Sequence, residues 1–405
     1  MHRLLLLLLL AATPAAAETW IGSWGAAPQP AMPSGLEKFE NETLRLIVHV
    51  SAGGQKLRVR FSNLYGDTPL KIGAANVARR VAEAETDPAS DRALTFGGQA
   101  SATIPPHGAL TSDPVDLDAP ALSDLAVSLF LPEATAAGTT HILAQQTSYV
   151  ASGDHTGVAK FPVARQLDSW PFLTRVDVAA GQDAGMIVAF GDSLVDGDGS
   201  TSDANHRWPD LLAARLQAAG CSLGVLNEGL IGNRLLRDSP AQARKQIGAA
   251  FGESGLRRFR HDVLEQPGLR VVVLRIGGND LGLPGVVAAP SEAVTAPQLI
   301  AGYRKLAAEA RRHGIRAIGT TLTPFEDTTI APGYYTPAKD AIRRQVNDWL
   351  RAHKPFDALI DIDTILRDPD HPARLAPKYD SGDHLHPNDS GYAAIADAFP
   401  LALFE

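Results

Sequence analysis

Met186-Ile187-Val188-Ala189-Phe190 is an unbroken apolar run that ends in Gly191-Asp192-Ser193. Short runs of the same kind recur at Leu223 to Leu226, Val271 to Ile276, Ala317 to Leu322 and Ala358 to Ile362. Amphipathic stretches lie between them. Trp208, Leu211, Leu212 and Leu216 share one helical face. Ala338, Ala341, Ile342, Val346, Trp349 and Leu350 share another, with Thr336 as N-cap and Pro337 as the first helical residue. This alternation implies right-handed βαβ units and a parallel sheet covered on both sides. Open sheets of this kind carry their sites beyond the carboxyl ends of the strands, so the residues just after each run should hold the chemistry.

Upstream the period changes. Leu44-Arg45-Leu46-Ile47-Val48-His49-Val50 is a β-like run, Ser51-Ala52-Gly53-Gly54 breaks it, and Leu57, Val59 and Phe61 then alternate with Lys56, Arg58 and Arg60. Alternation puts the apolar groups on one sheet face and the cations on the other, and the Gly-rich break reads as a hairpin connection. Further β-like runs follow at Leu70 to Val77, Leu125 to Leu131 and His141 to Val150, while Pro105, Pro106 and Pro114 exclude a long helix between them. Residues 18–180 therefore read as an all-β, sandwich-like accessory domain, with an α/β domain over 181–405.

Residues 1–17 have the layout of a secretory signal: His2 and Arg3, the apolar run Leu4 to Leu10, then the small residues Ala15-Ala16-Ala17. The run is too short for a membrane anchor, which needs about 20 apolar residues. Export to the periplasm or the exterior is expected. The chain has 45% hydrophobic and 20% charged residues, which excludes a disordered or coiled-coil architecture. A net charge of −8 argues against non-specific nucleic-acid binding, which needs clustered cations. The single cysteine, Cys221, rules out an internal disulfide and a Cys₄ or Cys₂His₂ metal site, and reads as a small core residue.

Four strand ends carry candidate groups. Ser193 stands where a strand turns into a helix, with helix-start N–H groups nearby. The Gly-x-Ser-x-Gly elbow of α/β-hydrolases is absent, because Val occupies 195. Asn227-Glu228-Gly229-Leu230-Ile231-Gly232-Asn233 follows the second run, and Gly232 presents its N–H without a side chain. Ile276-Gly277-Gly278-Asn279-Asp280 ends the third, and the Asn279 amide is a neutral donor suited to developing negative charge. Near the C-terminus, Asp383 and His386 are three residues apart, close enough for the carboxylate to orient the imidazole. The same stretch, His384 and His386 with Asp380, Asp383 and Asp389, is alternatively a metal loop, or a polar loop that caps the last helix at Ser390.

Phe190-Gly191-Asp192-Ser193, Asn227 to Asn233, Gly277-Gly278-Asn279-Asp280 and Asp383-His384-Leu385-His386 together resemble the four blocks of the SGNH (GDSL-type) hydrolases, over about residues 185–405. The resemblance implies a three-layer α/β/α, flavodoxin-like domain and a serine esterase. Ser193 would be the nucleophile, Asp383 and His386 the orienter and base, and Ser193 N–H, Gly232 and Asn279 the oxyanion hole. Trp20-Ile21-Gly22-Ser23-Trp24 and the β region resemble the N-terminal part of an exported bacterial subgroup of GDSL-type lipases and acylhydrolases.

The expected substrate is a small-molecule or glycan ester with a short acyl or acetyl group, and neither cofactor nor metal is expected. Lipase or lysophospholipase action is the alternative within the class. A non-catalytic secreted carbohydrate-binding protein is the alternative outside it, in which Trp20 and Trp24 stack on sugars instead of packing in a core. Pro284-Gly285 and Thr328 to Tyr335 read as loops near the site.

Overall fold

The computed structural model describes residues 18–181, 184–241 and 247–404. The signal-like segment 1–17 lies outside the described residues. The first half of the chain is β-rich. Its longer strands are β1 (Thr19–Gly25), β2 (Glu42–Val50), β3 (Gly54–Ser62), β4 (Ala74–Ala82), β5 (Ala109–Thr111), β6 (Val115–Ala119), β7 (Ser123–Leu131), β8 (Ser148–Ser152), β9 (Arg165–Leu167) and β10 (Leu173–Ala180). One antiparallel sheet runs β1-β10-β3-β5, with β6 also on β3, and the other includes β9-β8-β2-β7-β4.

The expected hairpin between β2 and β3 does not form. β2 pairs with β7 and β8 in one sheet, and β3 pairs with β10, β5 and β6 in the other. The reason lies in β2 itself. Leu44, Leu46 and Val48 fill the main core while Ile47 fills a smaller cluster with Tyr149 and Phe161. Both faces of β2 are covered, the second by Thr43, Arg45 and Ile47, and its two edges are taken by β7 and β8, so the Gly-rich break carries the chain from sheet to sheet. In β3 the alternation reads as expected: Leu57, Val59 and Phe61 are fully buried, while Arg58 and Arg60 face the other way and are only partly covered. The run His141 to Val150 is strand only from Ser148 onward; His141 to Thr147 is irregular and turns towards the second half of the chain.

The second half builds a five-stranded parallel sheet from β11 (Gly185–Gly191), β12 (Leu223–Glu228), β13 (Leu269–Arg275), β14 (Arg316–Thr320) and β15 (Ala358–Ile360), in the order β12-β11-β13-β14-β15. That is the 2-1-3-4-5 order of doubly wound sheets, whose switch point lies between the first and third strands. The helices are α1 (Ser193–Asp196), α2 (Trp208–Ala218), α3 (Gly255–Phe259), α4 (Gly278–Gly282), α5 (Ala296–Arg312), α6 (Pro337–His353), α7 (Ile362–Leu366) and α8 (Asp389–Asp397). Strand β15 is shorter than its apolar run, because Asp361 caps α7 and starts the helix at Ile362.

Alternate residues of β11 enter different cores. Met186, Val188 and Phe190 pack in the cluster that holds Leu299, Leu306, Val346 and Leu350 from α5 and α6. Ile187 and Ala189 join Trp208, Leu212, Ile362, Leu366 and Ile395 from α2, α7 and α8. Cys221 is half-buried at the edge of this second cluster.

The β-rich region is packed directly on this sheet. Ile21 and Trp24 share a cluster with Met186, Val188 and Leu226. Ala26 bridges Asn227 in parallel, and Val225 N–H donates to Ser51 Oγ at 2.8 Å. The fit needs glycines: a Cβ on Gly224 would lie 2.0 Å from the Gly22 carbonyl oxygen. Trp24 packs edge-on against Trp170 in the core, whereas Trp20 is half-buried beneath the Arg58 guanidinium at 4.6 Å. Among the described residues no helix is long and apolar enough to cross a membrane.

Candidate active site

At the end of β11 the chain must turn sharply, and Gly191 permits it; a Cβ there would lie 2.0 Å from the Arg275 carbonyl oxygen. Asp192 then caps α1, its Oδ1 accepting from Leu194 N–H at 3.2 Å. Buried Asp192 also takes the Arg275 Nη1 donor at 2.5 and 2.6 Å, and Arg275 Nη2 donates to Thr323 Oγ1 at 2.8 Å. The pair fixes the turn on the neighbouring strand. Ser193 follows with its side chain 193 residues away in sequence from its partner: Oγ stands 2.8 Å from His386 Nε2.

His386 is held from behind. Its Nδ1 lies 2.5 Å from Asp383 Oδ2, and Asp383 Oδ1 accepts the N–H groups of Leu385 and His386, each at 2.8 Å. Burial works against the Asp383 charge, yet the His386 hydrogen bond and charge and the two N–H donors hold its pKa down at about 2. Burial likewise opposes a charged His386, but the Asp383 hydrogen bond and the carboxylates of Asp198, Asp383 and Asp192 raise it above the ordinary imidazole value. A hydroxyl facing a ring nitrogen, with the other nitrogen on a carboxylate, is the arrangement that activates a serine for acyl transfer.

Asp198 was not legible as a site residue. Its Oδ2 lies 3.6 Å from His386 Nε2, so the ring has a carboxylate on each side. Asp198 N–H donates to the Ser193 carbonyl at 3.0 Å, and its own carbonyl accepts from Tyr392 Oη at 2.6 Å.

The loop after β12 is tied to α1. Asn227 Nδ2 donates to the Val195 carbonyl at 2.8 Å, and Ile231 N–H to Asp196 Oδ2 at 2.9 Å. Gly232 has a φ of 70°, with the Phe251 ring 2.3 Å from where a Cβ would stand. Asn279, in α4, donates from Nδ2 to the Asn233 carbonyl at 3.0 Å and accepts from Tyr334 Oη at 2.8 Å. One amide hydrogen of Asn279 is thus left over. Neither Ser193 N–H nor Gly232 N–H meets an acceptor among the described residues. Asp280 clamps the same loop by accepting from Leu235 and Leu236 N–H at 2.6 and 3.0 Å, and burial pushes its pKa up to about 6.

Ser193, His386 and Asp383 are therefore directly bonded, and Asn279 lines one small cavity with Ser193, Leu194, Phe325, Tyr334 and Leu385. Gly232 connects to them through Asn233. His384 turns away, its Nδ1 on Asp380. The last helix is capped by Asn388, which accepts from Gly391 N–H at 3.0 Å, and not by Ser390. Among the described residues no group of three or more His, Cys, Asp or Glu side chains is placed to hold a metal ion. Both loops read as near the site are joined by Lys339, whose Nζ donates to the carbonyls of Gly282, Pro284, Gly333 and Tyr334 at 2.7–3.2 Å.

The β-rich region also reaches the site. Both ring nitrogens of His141 face acceptors, with Nδ1 2.9 Å from the Ala27 carbonyl and Nε2 2.9 Å from Asp196 Oδ1. Gln145 Nε2 donates to the Gly197 carbonyl at 3.3 Å, and Asp203 accepts from Gln146 and Thr147.

No curated protein matches the chain. Among solved structures, a carbohydrate acetylesterase family member from Sinorhizobium meliloti is 20% identical with a TM-score of 0.39, covering 53% of this chain and 94% of its own. The aryl esterase of M. smegmatis is 17% identical with a TM-score of 0.40, covering 53% and 95%. A GDSL-like lipase from Bacteroides thetaiotaomicron is 18% identical with a TM-score of 0.37, covering 54% and 87%. The family model for GDSL-like lipases/acylhydrolases matches residues 187–399, just over half of the chain, and takes in every strand end described above. The chain belongs to the GDSL-like lipase/acylhydrolase family.

Proposed function

We propose that the protein is an exported serine esterase that cleaves short-acyl carboxylic esters through an acyl-serine intermediate. The observation that carries this reading is the continuous link from Ser193 Oγ through His386 to Asp383, at 2.8 and 2.5 Å. Ser193 attacks the ester carbonyl as His386 Nε2 takes its proton, and Asp383 steadies the imidazolium. The tetrahedral oxyanion is held by Ser193 N–H, Gly232 N–H and the spare Asn279 amide hydrogen, donors that have no competing acceptor. His386 returns the proton to the leaving alcohol, and water releases the acid.

The cavity beside Ser193 has a volume of about 10 Å³. It has room for little more than one water-sized group. Walls of Phe325, Tyr334, Leu194 and Leu385 favour an acetyl methyl over a long acyl chain, on small esters or on glycans. The reading includes a cleaved leader over 1–17, a sandwich-like region over 18–180 and a three-layer α/β/α hydrolase domain over 181–405.

A fluorophosphonate probe tests the reading. It should label Ser193 of the wild-type chain, and Ser193→Ala should lose both labelling and p-nitrophenyl acetate hydrolysis. Wild-type hydrolysis by purified Ser193→Ala would overturn the assignment.

A further inference from the structure

The small cavity beside Ser193 is walled almost entirely by residues that hold the site together. Leu194 lies in the turn after the nucleophile, its N–H on Asp192 Oδ1, and Leu385 stands between Asp383 and His386, its N–H on Asp383 Oδ1. At the polar end Arg275 joins Asp192 and Thr323 at 2.5–2.8 Å. Tyr334 donates its hydroxyl to Asn279 Oδ1 at 2.8 Å, and its ring covers Gly282, 2.1 Å from where a Cβ would stand. A change of size at any of these would disturb a group that the proposed chemistry uses.

Phe325 is the exception. It follows β14 in the irregular stretch before α6, lines the cavity, and is 3% exposed. Its ring packs edge-on against Tyr334, with centroids 6.0 Å apart, and against Tyr335 at 5.5 Å. Tyr335 is only half-buried, its hydroxyl on Glu326 Oε1 at 3.0 Å, and it does not line the cavity. Phe325 therefore borders the cavity on one side and a ring that reaches the surface on another. A phenyl ring makes no hydrogen bond, so its size can vary without breaking one to Ser193, His386, Asp383 or Asn279.

We propose that Phe325 sets the acyl length of this enzyme: its ring stops the acyl chain just beyond an acetyl group, and a smaller side chain there turns the site towards butyryl and longer esters. The space vacated runs towards Tyr335, so truncation lengthens the acyl cavity while the oxyanion donors and the Ser193–His386 link stay in place. The proposal rests on the esterase reading and on entry of the acyl group into this cavity. Short-acyl and long-acyl hydrolysis are then separated by one side chain that takes no part in the chemistry.

Steady-state kinetics of the full chain on p-nitrophenyl acetate, butyrate and octanoate test it. A methylene that a pocket cannot take costs roughly 10–200-fold in kcat/KM, so wild type should prefer acetate to butyrate by about tenfold or more. Phe325→Ala should raise the butyrate-to-acetate ratio by about tenfold or more, and Phe325→Leu by less. Tyr334→Phe, which keeps its ring, should leave the ratio where it is. If thermal melting shows that Phe325→Ala does not fold, Phe325→Leu decides, because it keeps most of the packing. The proposal is overturned if wild type prefers butyrate or octanoate to acetate, or if the ratio is unchanged in a folded Phe325 variant. A wild type that hydrolyses none of these esters and takes no fluorophosphonate label would overturn the esterase reading, and this proposal with it.

Discussion

His141 Nε2 lies 2.9 Å from Asp196 Oδ1, joining the β-rich region to the turn that presents Ser193. Both side chains are almost wholly buried. The other Asp196 oxygen holds Ile231 N–H, one residue before Gly232, so the bond positions the loop after β12 as well. Breaking a buried pair by removing one partner typically costs about 3–5 kcal/mol. His141→Ala should lose that much in urea unfolding and should also lower kcat. The loss depends on pH. Burial opposes a charged His141, but Asp196 raises its pKa above the ordinary value. The stabilisation is therefore full below the unfolded-state pKa of about 6.5 and fades as pH rises through the higher folded-state value. The stability gap between wild type and His141→Ala should be wider at pH 6 than at pH 9, where the pH-independent loss of packing and of the neutral ring's hydrogen bond remains.

With His386 as the proposed base, the three carboxylates that act on it set the acid limb of the rate profile. Asp383, Asp198 and Asp192 all favour its charged form, and only the neutral ring accepts the serine proton. The acid limb of kcat/KM should lie above the ordinary imidazole value. Asp198→Asn removes one of these charges and should move the limb to lower pH, with the Ser193–His386 link intact. A pH series on p-nitrophenyl acetate checks this, and an unmoved limb would show that Asp198 does not act on the ring.

Asn279 and Tyr334 separate a donor from the group that aims it. Asn279→Ala removes a proposed oxyanion donor and should cost about 3 kcal/mol, near a hundredfold in kcat with little change in KM. Tyr334→Phe keeps the ring packed over Gly282 and loses only the hydroxyl on Asn279 Oδ1. Its cost should be about 1 kcal/mol, under tenfold. Steady-state kinetics of the two variants should fall in that order.

Gly224→Ala tests the packing between the halves. The added Cβ would meet the Gly22 carbonyl oxygen at 2.0 Å, and backbone on both sides leaves no flexible atom to yield. Overpacking of this kind costs about 1–3 kcal/mol or more. The urea midpoint should fall, while the residual folded enzyme keeps its pH profile.

The parallel sheet was legible because each strand is a short apolar run, and Ser193 and Asn279 could be named because they follow two of those runs. His386 was legible from its spacing to Asp383 instead: the pair lies in the loop before α8 and not at a strand end. The supports of these residues were not legible. Arg275, Asp198, Tyr334 and His141 are common residue types that reach their partners across 55 to 188 residues, and no local spacing marks such a contact. The β2–β3 break was misread because Ser51-Ala52-Gly53-Gly54 suits a hairpin and a sheet-to-sheet crossing equally. Only the pairing partners, set by which faces are buried, decide between them.

The shared core beneath β1 means that the family-matched stretch is not a portable cassette. Expressed alone, residues 187–399 would expose the Leu226 side of the sheet to water and leave Asp196 without its imidazole partner. Any scheme to graft this hydrolase onto another carrier has to transplant the upstream strands with it.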